Sequence, residues 1–330
     1  MGAFFRMSGV DLRNLIDPNL GLSINEWLDK IEDIALDNGD FEPLGPDHTA
    51  ILIEGNEKLL VTFERVEDVR NQVNQDTPLG WQLRHGQGWT VLTILGADQS
   101  WFRHRAVYEY FDRLIDDGFF DDYDQILFYG AGAGGYAAAA FSVAAPGATV
   151  MAISPQATLA PDLAIWETRF PAGRRMDFNS RFGFAPRMAD AAEMVFVFYD
   201  PQEHLDAMHA ALFNSDNVNR VRCRYFDGQI EMFLRRMEVL PGLVQMAMRG
   251  RLSNKIIARA LRERRNYLPY LRRLLSAVDA KERTYLTALM CRSVLERINA
   301  PRFHRRLSQA EKQLAAEGRS LPRKRLAKSA

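Results

Sequence analysis

Residues 124–156, DQILFYGAGAGGYAAAAFSVAAPGATVMAISPQ, decide the fold of this chain. The apolar run at 126–129 is typical of a buried strand, and it ends in the small residues GAGAGG at 130–135. Residues 136–145 have the composition of a helix, Pro146-Gly147 ends it, and a second apolar run predicts another strand. A strand, a helix and a strand within about thirty residues form a βαβ unit, so the sequence predicts a parallel sheet.

The glycines of this turn have two interpretations. Gly130, Gly132 and Gly135 fit the G-x-G-x-x-G spacing of a dinucleotide site, where backbone amides and a helix N-terminus face a pyrophosphate. Such a site also needs an acidic residue at the end of the next strand, about 20 residues past the glycines. That strand ends in SPQ at 154–156, which offers no carboxylate to a ribose. We therefore expect no cofactor.

The same turn also fits the nucleophile elbow, G-x-S-x-G, in which a strained strand-to-helix turn lifts one side chain above the sheet. In this alignment the nucleophile position falls on Gly132. The segment FYGAGAGGYAA at 128–138, followed by SPQ, resembles bacterial α/β-hydrolase-fold proteins whose elbow is YGSSMGGYAA, several of them found beside polysaccharide-assembly genes. The resemblance implies the fold, whereas a glycine at the serine position argues against the chemistry.

The resemblance also implies where the rest of a catalytic triad stands. The chain order of nucleophile, acid and base places the acid at Asp200, in the motif FVFYDP. The base histidine follows the last strand, commonly after a glycine, and here Gln229 follows Gly228. A carboxamide cannot take a serine proton near neutral pH. Because Gly132 and Gln229 have both lost their chemistry, we expect a non-hydrolytic site.

Several other residues are candidates for binding rather than catalysis. The resemblance places an oxyanion loop after the strand WTVLTIL at 89–95, where a backbone amide can bind an anion without a triad. The motif AIWETRF at 164–170 loosely matches a cap motif of the resembled proteins. The candidate binding residues are Asp98, Ser100, Trp101, Ala133, Ser154, Trp166 and Arg169.

Simpler structural roles stand beside these assignments. Asp200 also fits as the N-cap of a helix over 202–213. His204 and His209 are five residues apart, off the i, i+4 spacing of a shared metal, so we expect solvated or buried histidines and no metal site. Cys223 and Cys291 form neither a disulfide framework nor a zinc motif, which favours a reducing, cytoplasmic setting.

The formal net charge of zero conceals a strong division. The chain of 330 residues is 47% hydrophobic and 25% charged, and we expect neither a signal peptide nor a transmembrane helix. Residues 249–330 hold 22 Lys+Arg and 6 Asp+Glu, leaving 20 and 36 for residues 1–248. The basic end either docks on the acidic part or binds an anionic partner. A phosphate-bearing lipid or an acidic protein ranks above nucleic acid, because aromatic residues for base stacking are few.

Periodicity divides the chain into three parts. We expect a helical extension over 1–46, opened by a capping box at SINE (23–26), an α/β-hydrolase-like domain over 47–240 and a basic helical module over 241–330. The apolar runs at 48–53 and 58–63 predict a hairpin at the sheet edge. The alternation that follows predicts a doubly wound, mostly parallel α/β sheet.

Two classes of function follow from these observations. A binding or scaffold protein, linked by the resemblance to surface polysaccharide or glycan assembly, would keep the fold without the triad. The alternative is an esterase or acyl transferase with an unorthodox catalytic set. The residue at position 132 discriminates between them.

Overall fold

Eight strands form one mostly parallel sheet within the residues that the computed structural model describes, 11–12, 15–17, 21–70, 76–97 and 100–322. Their order is β1-β2-β4-β3-β5-β6-β7-β8. β2 runs antiparallel to both of its neighbours, and the other pairs are parallel, which confirms the predicted α/β class. The strands are β1 (Gly39–Pro43), β2 (His48–Ile53), β3 (Asn56–Arg65), β4 (Trp89–Gly96), β5 (Gln125–Ala131), β6 (Thr149–Ile153), β7 (Met194–Tyr199) and β8 (Val218–Arg222).

The central strands are covered on both faces. Every residue of β4 and β6 is buried, as expected for strands with helices on either side. The core includes the rings of Phe63, Phe111 and Phe141, whose centroids lie 4.6 to 5.9 Å apart. The helices up to residue 260 are α1 (Ile24–Asn38), α2 (Val66–Arg70), α3 (Leu79–Leu83), α4 (Arg105–Asp116), α5 (Ala133–Phe141), α6 (Ala185–Met188), α7 (His204–Leu212), α8 (Ile230–Arg236), α9 (Leu240–Met248) and α10 (Asn254–Ala260).

The predicted hairpin between β2 and β3 is wrong. β2 pairs with β1 and β4, whereas β3 lies on the other side of β4. The chain crosses the start of β4 between the two strands, where the Asn56 amide donates to the Gly88 carbonyl oxygen (2.8 Å). A Cβ on Gly55 would lie 2.4 Å from that same oxygen, so this glycine serves a close backbone crossing rather than a hairpin turn.

The predicted helix near the N-terminus is confirmed as α1. The Ser23 hydroxyl accepts from the Glu26 amide, and the Glu26 carboxylate accepts from the Ser23 amide, which forms the expected capping box. Trp27 and Ile31 lie on its buried face, but Ile24 is exposed. The helix ends at Asn38, and the chain then enters β1, an edge strand that the sequence did not predict.

The chain divides into two compact units, residues up to 257 and residues from 258. Within the first unit, α9 packs on β5 and β6. The division into parts at 46/47 and 240/241 stays a prediction. None of the described helices is both long and apolar enough to cross a membrane.

The second unit is helical over its described residues. α12 packs against both α11 and α13, and Ala288, Ala310 and Leu314 form a small core. The Asp279 carboxylate accepts from the Thr287 hydroxyl (3.0 Å) and pairs with Arg306, which joins the three helices. The helices are α11 (Leu268–Asp279), α12 (Thr284–Leu295) and α13 (Pro301–Ala316).

Candidate functional site

The turn between β5 and α5 has the geometry of a nucleophile elbow. Gly132 stands between the last residue of the strand and the first residue of the helix, with φ 56° and ψ −121°. Residues with a side chain rarely adopt this backbone conformation. The Gly132 amide donates to the Ile153 carbonyl oxygen at the end of β6 (2.8 Å), which fixes the turn at the carboxyl edge of the sheet. The predicted strand-to-helix turn at Gly132 is confirmed.

The neighbouring glycines permit close backbone approach. A Cβ on Gly130 would lie 2.2 Å from the Gly134 carbonyl oxygen, and a Cβ on Gly134 would lie 2.2 Å from the Phe63 carbonyl oxygen. Both distances are shorter than real Cβ contacts, so these positions exclude larger residues. A Cβ on Gly132 would meet no atom within 4 Å. The elbow therefore keeps open space where a nucleophile would stand.

Alanine substitutions should separate backbone strain from steric exclusion at this turn. We expect Gly132→Ala to lower the free energy of unfolding by about 1–2 kcal/mol, because the new Cβ is strained but unobstructed. We expect Gly134→Ala to cost about 3 kcal/mol, because its Cβ meets a backbone carbonyl that cannot move freely. Urea unfolding followed by tryptophan fluorescence measures both, since all five tryptophans lie before residue 167. Equal costs at the two positions would contradict this account of the elbow.

Asp200 has a structural role at the end of β7. Its side chain is fully buried, and its Oδ1 accepts from the Gln202 amide (3.0 Å). Its Oδ2 accepts from the amides of Phe226 (2.7 Å) and Asp227 (3.0 Å). The carboxylate thus joins the loops that follow β7 and β8. The simpler interpretation of Asp200 as a helix N-cap is wrong, because α7 begins at His204 and Glu203 is its N-cap.

Gln229, the residue at the predicted base position, is the N-cap residue of α8. Its side chain is exposed, and its backbone amide donates to the Phe226 carbonyl oxygen (3.0 Å). Gly228 before it has φ 63°, so the chain turns sharply between β8 and α8. The loop thus brings a carboxamide to the place that the resemblance assigns to the base.

Gly132 and Gln229 line one cavity of about 1090 Å³, and Asp200 does not. The cavity joins the elbow to the ends of β3 and β6 and to α8. Both aromatic and charged residues line its walls. They include Phe63, Trp101, Tyr129 and Phe170 on one hand, and Glu64, Arg169, Glu203, Glu231 and Arg235 on the other.

Four of the seven candidate binding residues line the cavity. They are Trp101, Ala133, Ser154 and Arg169. The Trp101 indole donates to the Gln156 side chain (3.2 Å) and packs edge-on against Phe170. Ser100 and Trp166 are not among the lining residues, and Asp98 lies outside the described residues.

The strand beside the elbow strand is β3, not β4. The second amide of an oxyanion hole comes from the loop after the third strand of this fold. In this chain β3 ends at Arg65 and α2 follows directly from Val66, whereas Ser100 and Trp101 follow β4. The predicted position of the oxyanion loop therefore does not agree with the sheet order.

Ser154 combines two unusual features at the end of β6. It has φ 45°, in the left-handed region that residues with a side chain rarely occupy. Its Oγ is buried and has no hydrogen-bond partner among the described residues. Buried hydroxyls are normally bonded, so Ser154 is an exception within the described residues.

A buried ionic cluster joins α7 to residues 164–170, the AIWETRF segment, which is called the cap segment below. His209 and Glu167 are both inaccessible to solvent, and His209 Nε2 lies 3.0 Å from Glu167 Oε2. The Ala157 amide donates to His209 Nδ1 (3.1 Å), so Nε2 carries the proton and donates to the carboxylate. Arg169 bridges Glu167 and Asp206, both at 2.6 Å. Burial raises the pKa of Glu167, but the bonds from His209 and Arg169 outweigh burial and lower it to about 2.

A second polar cluster lies on the cavity wall. The Tyr129 hydroxyl donates to Glu231 Oε1 (2.5 Å), and burial raises the pKa of this carboxyl. Glu64 accepts from the amides of Leu79 (2.6 Å) and Gly80 (2.9 Å) at the start of α3, and burial raises its pKa too. The sequence analysis did not find either glutamate, because nothing in their spacing connects α8 with β3. Among the described residues, no group of three or more His, Cys, Asp or Glu is arranged to hold a metal ion.

The sheet order, with its antiparallel second strand, and the elbow after β5 define a fold of the α/β-hydrolase type. No family model matches the sequence, and a search of curated proteins found no similar sequence. Similar solved structures include the capsule O-acetyltransferase of Neisseria meningitidis serogroup A, at 12% identity and a TM-score of 0.37 over 64% of this chain and 98% of that one.

Two further similar structures come from other organisms. An esterase of Pyrobaculum calidifontis matches at 14% identity and a TM-score of 0.40, over 72% of this chain and 96% of that one. The glycosylation-associated protein complex Gap123 of Streptococcus agalactiae matches at 10% identity and a TM-score of 0.39, over 66% of this chain and 47% of that one. No conclusion about activity follows from matches at this level.

Proposed function

We propose that this protein is a non-catalytic binding protein built on an α/β-hydrolase type of fold. The observation that carries the proposal is Gly132, which occupies the strained apex of the elbow with free space above it and no side chain to react. Nucleophilic catalysis at an elbow needs a hydroxyl or thiol at this apex and a base within hydrogen-bond reach. The chain keeps the backbone conformation of the elbow without the reacting group.

The other two triad positions support the same proposal. The two oxygens of Asp200 accept three backbone amides, which accounts for a buried aspartate here without any catalytic role. Gln229 cannot act as a general base, because a carboxamide does not take up a proton near neutral pH. A fold that needs Asp200 for its loops would retain the acid after the nucleophile and the base were lost.

The ligand that we propose for the cavity is a glycan. The half-buried Phe170 ring offers apolar surface, and Glu231 and Arg235 offer hydrogen-bond acceptors and donors for hydroxyl groups. The volume of about 1090 Å³ lies just above the ~300–1,000 Å³ range of ligand sites. The resemblance of the elbow to polysaccharide-associated proteins points to the same class of ligand.

We also propose an anionic partner for the basic C-terminal helices, in a cytoplasmic setting. The charge of residues 249–330, 22 Lys+Arg against 6 Asp+Glu, supports the partner, and two buried cysteines that form no disulfide fit a reducing compartment. Retention on a heparin column that falls with salt would support an anionic partner. An absence of retention at low salt would contradict it.

The activity arm of the test uses the purified full-length chain. We expect no hydrolysis of p-nitrophenyl acetate above background and no adduct with a fluorophosphonate probe, because the elbow has no nucleophile. Gly132→Ser alone should not restore turnover, because Gln229 cannot activate the hydroxyl; the double variant with Gln229→His should give a trace. Robust hydrolysis by the unmodified chain would contradict the proposal.

The binding arm of the test is isothermal titration with capsular oligosaccharides. We expect Glu231→Gln to weaken binding about tenfold, since it removes a charged acceptor from the cavity wall. Glu109→Gln on the exposed side of α4 is the matched control and should bind like the unmodified chain. An equal loss in both variants, or no binding to any oligosaccharide, would argue against a glycan in the cavity.

An unorthodox esterase is the second candidate, and Ser154 is the observation that favours it. Ser154 lines the same cavity as Glu231, whose raised pKa suits a general acid or base, and its buried Oγ has no hydrogen-bond partner among the described residues. A fluorophosphonate adduct that maps to Ser154 and disappears in Ser154→Ala would establish this alternative in place of the binding protein.

A further inference from the structure

The second unit carries far more cations than its acids can pair. Its described residues, 258–322, hold 15 Lys+Arg and 6 Asp+Glu. Only two of these acids form ion pairs within the described residues, Asp279 with Arg306 and Glu317 with Arg319. Most of the positive charge therefore faces solvent.

The exposed cations of α13 lie on one side of the helix. Arg302, Arg305 and Lys312 are exposed, and at 100° per residue their directions fall within about 80° of one another. The buried residues Phe303 and Ala310 point the opposite way. The helix thus presents a cationic face while its other face packs into the unit. Exposed arginines at 259, 262 and 272 add to the positive field of the unit.

The described part of this unit lacks the features that bind nucleotide bases. Tyr270 and Phe303 are buried, and Tyr285 packs against the small core with the Arg319 guanidinium over its ring. Tyr267 is half-buried, so none of these aromatic rings is fully exposed for stacking on a base.

An exposed apolar side chain lies close in sequence to exposed charged residues. Leu286 on α12 is 44% exposed and follows Lys281, Glu282 and Arg283, all three exposed, so its sequence neighbourhood has a net positive charge. Exposed cations together with an exposed apolar side chain are typical of protein surfaces that bind anionic membranes, where the charges contact phosphates and the apolar side chain enters the headgroup region.

We propose that residues 258–322 bind the surface of an anionic lipid membrane. The cationic face of α13 contacts lipid phosphates, and Leu286 inserts between headgroups. The proposal rests on the anionic partner proposed above and specifies its chemistry. It involves no helix that crosses the bilayer.

The experiment is co-sedimentation of the full-length chain with phosphatidylcholine vesicles, with or without about one third phosphatidylglycerol. We expect binding only to the anionic vesicles, and binding that weakens as salt rises. The variant Arg302→Gln/Arg305→Gln/Lys312→Gln should bind about a hundredfold more weakly, at about fivefold for each cation lost. The opposite control, Glu296→Gln/Glu311→Gln, should bind more tightly. Leu286→Ser should weaken binding about tenfold at low and at high salt alike, because apolar insertion is not screened.

Three results would overturn the proposal. They are no sedimentation with anionic vesicles at low salt, equal sedimentation of the unmodified chain and the triple cation variant, and tighter binding to duplex DNA than to vesicles with no effect of Leu286→Ser. The last result would assign the surface to nucleic acid and leave the proposed anionic partner standing. None of these results touches the cavity, so the non-catalytic binding function would stand or fall separately.

Discussion

Replacing Glu167 with alanine is expected to lower the free energy of unfolding of the first unit by about 3–5 kcal/mol. The carboxylate is inaccessible to solvent and accepts bonds from His209 Nε2 and from the Arg169 guanidinium. Its removal leaves the buried imidazole N–H without an acceptor and leaves one end of Arg169 unpaired, while Asp206 still holds the other end. A cavity in place of the side chain adds to this cost. Urea unfolding followed by tryptophan fluorescence measures the loss.

Two variants separate the buried ionic cluster from a general effect of losing a carboxylate. Glu167→Gln keeps the volume and one acceptor, so we expect a smaller loss of about 1–2 kcal/mol. Glu109→Ala breaks an exposed i, i+4 pair with Arg105 and should cost less than about 0.5 kcal/mol. If Glu167→Ala were as mild as Glu109→Ala, the cluster would have no role in holding the cap segment.

This cluster also shows that local sequence patterns could not predict a contact between residues far apart in the chain. The sequence analysis selected Trp166 and Arg169 by a loose motif match and expected solvated or buried histidines at 204 and 209. His209 is buried, and its ring lies 4.5 Å from Trp166, but its carboxylate partner is 42 positions earlier in the chain. No periodicity connects a cap loop with a helix after the next strand, so only the folded chain brings Glu167 to His209.

The elbow and the hairpin show the same limit in the fold. The turn at Gly132 was predictable because its glycines, its strand and its helix lie within about twenty consecutive residues. The pairing of β2 was not, because a glycine between two apolar runs indicates a turn but not which strands lie beside each other. The structure uses Gly55 for a crossing under the start of β4, a contact with Gly88 that is 33 residues away in the chain.

The candidate site was predictable to the extent that the resemblance supplied it. The resemblance selected Gly132 and Gln229, both of which line the cavity, yet it gave no signal for Glu64 or Glu231, which have no counterpart in the triad pattern. The structure also explains why the acid position of the triad pattern keeps its aspartate, Asp200, while the nucleophile and base positions have lost their reactive side chains. Asp200 is tied to three backbone amides, so its replacement would disturb two loops, whereas a Cβ on Gly132 would meet no atom within 4 Å and the Gln229 side chain is exposed.

His48 is expected to make the first unit sensitive to acid. Its side chain is buried at the start of β2, between Phe102 and His104, and neither ring nitrogen has a hydrogen-bond partner among the described residues. Burial is the largest cause that lowers its pKa, His104 lowers it further and Asp47 partly opposes them, so that the pKa is about 4. The imidazole is therefore neutral in the folded chain at pH values where an unfolded chain would already be protonated.

Lowering the pH from 7.5 to 4 should cost the unmodified chain about 3 kcal/mol more than it costs His48→Leu. The unfolded chain takes up a proton near the ordinary pKa of about 6.5 and the folded chain only near 4, so stability falls as the pH drops through this window, by about 1.4 kcal/mol per unit. Leucine has no proton to bind, and it also removes two unbonded polar atoms from the core. Glu167 adds little to this difference, because its lowered pKa places its own loss of stability between about pH 4.5 and pH 2, and both chains share that loss.

Urea unfolding at half-unit pH steps gives the two curves of stability against pH, with the exposed His204→Leu as the matched control. If the free energy of unfolding of His48→Leu and of the unmodified chain fell in parallel with pH, His48 would take up its proton equally in the folded and unfolded states, which would contradict this prediction.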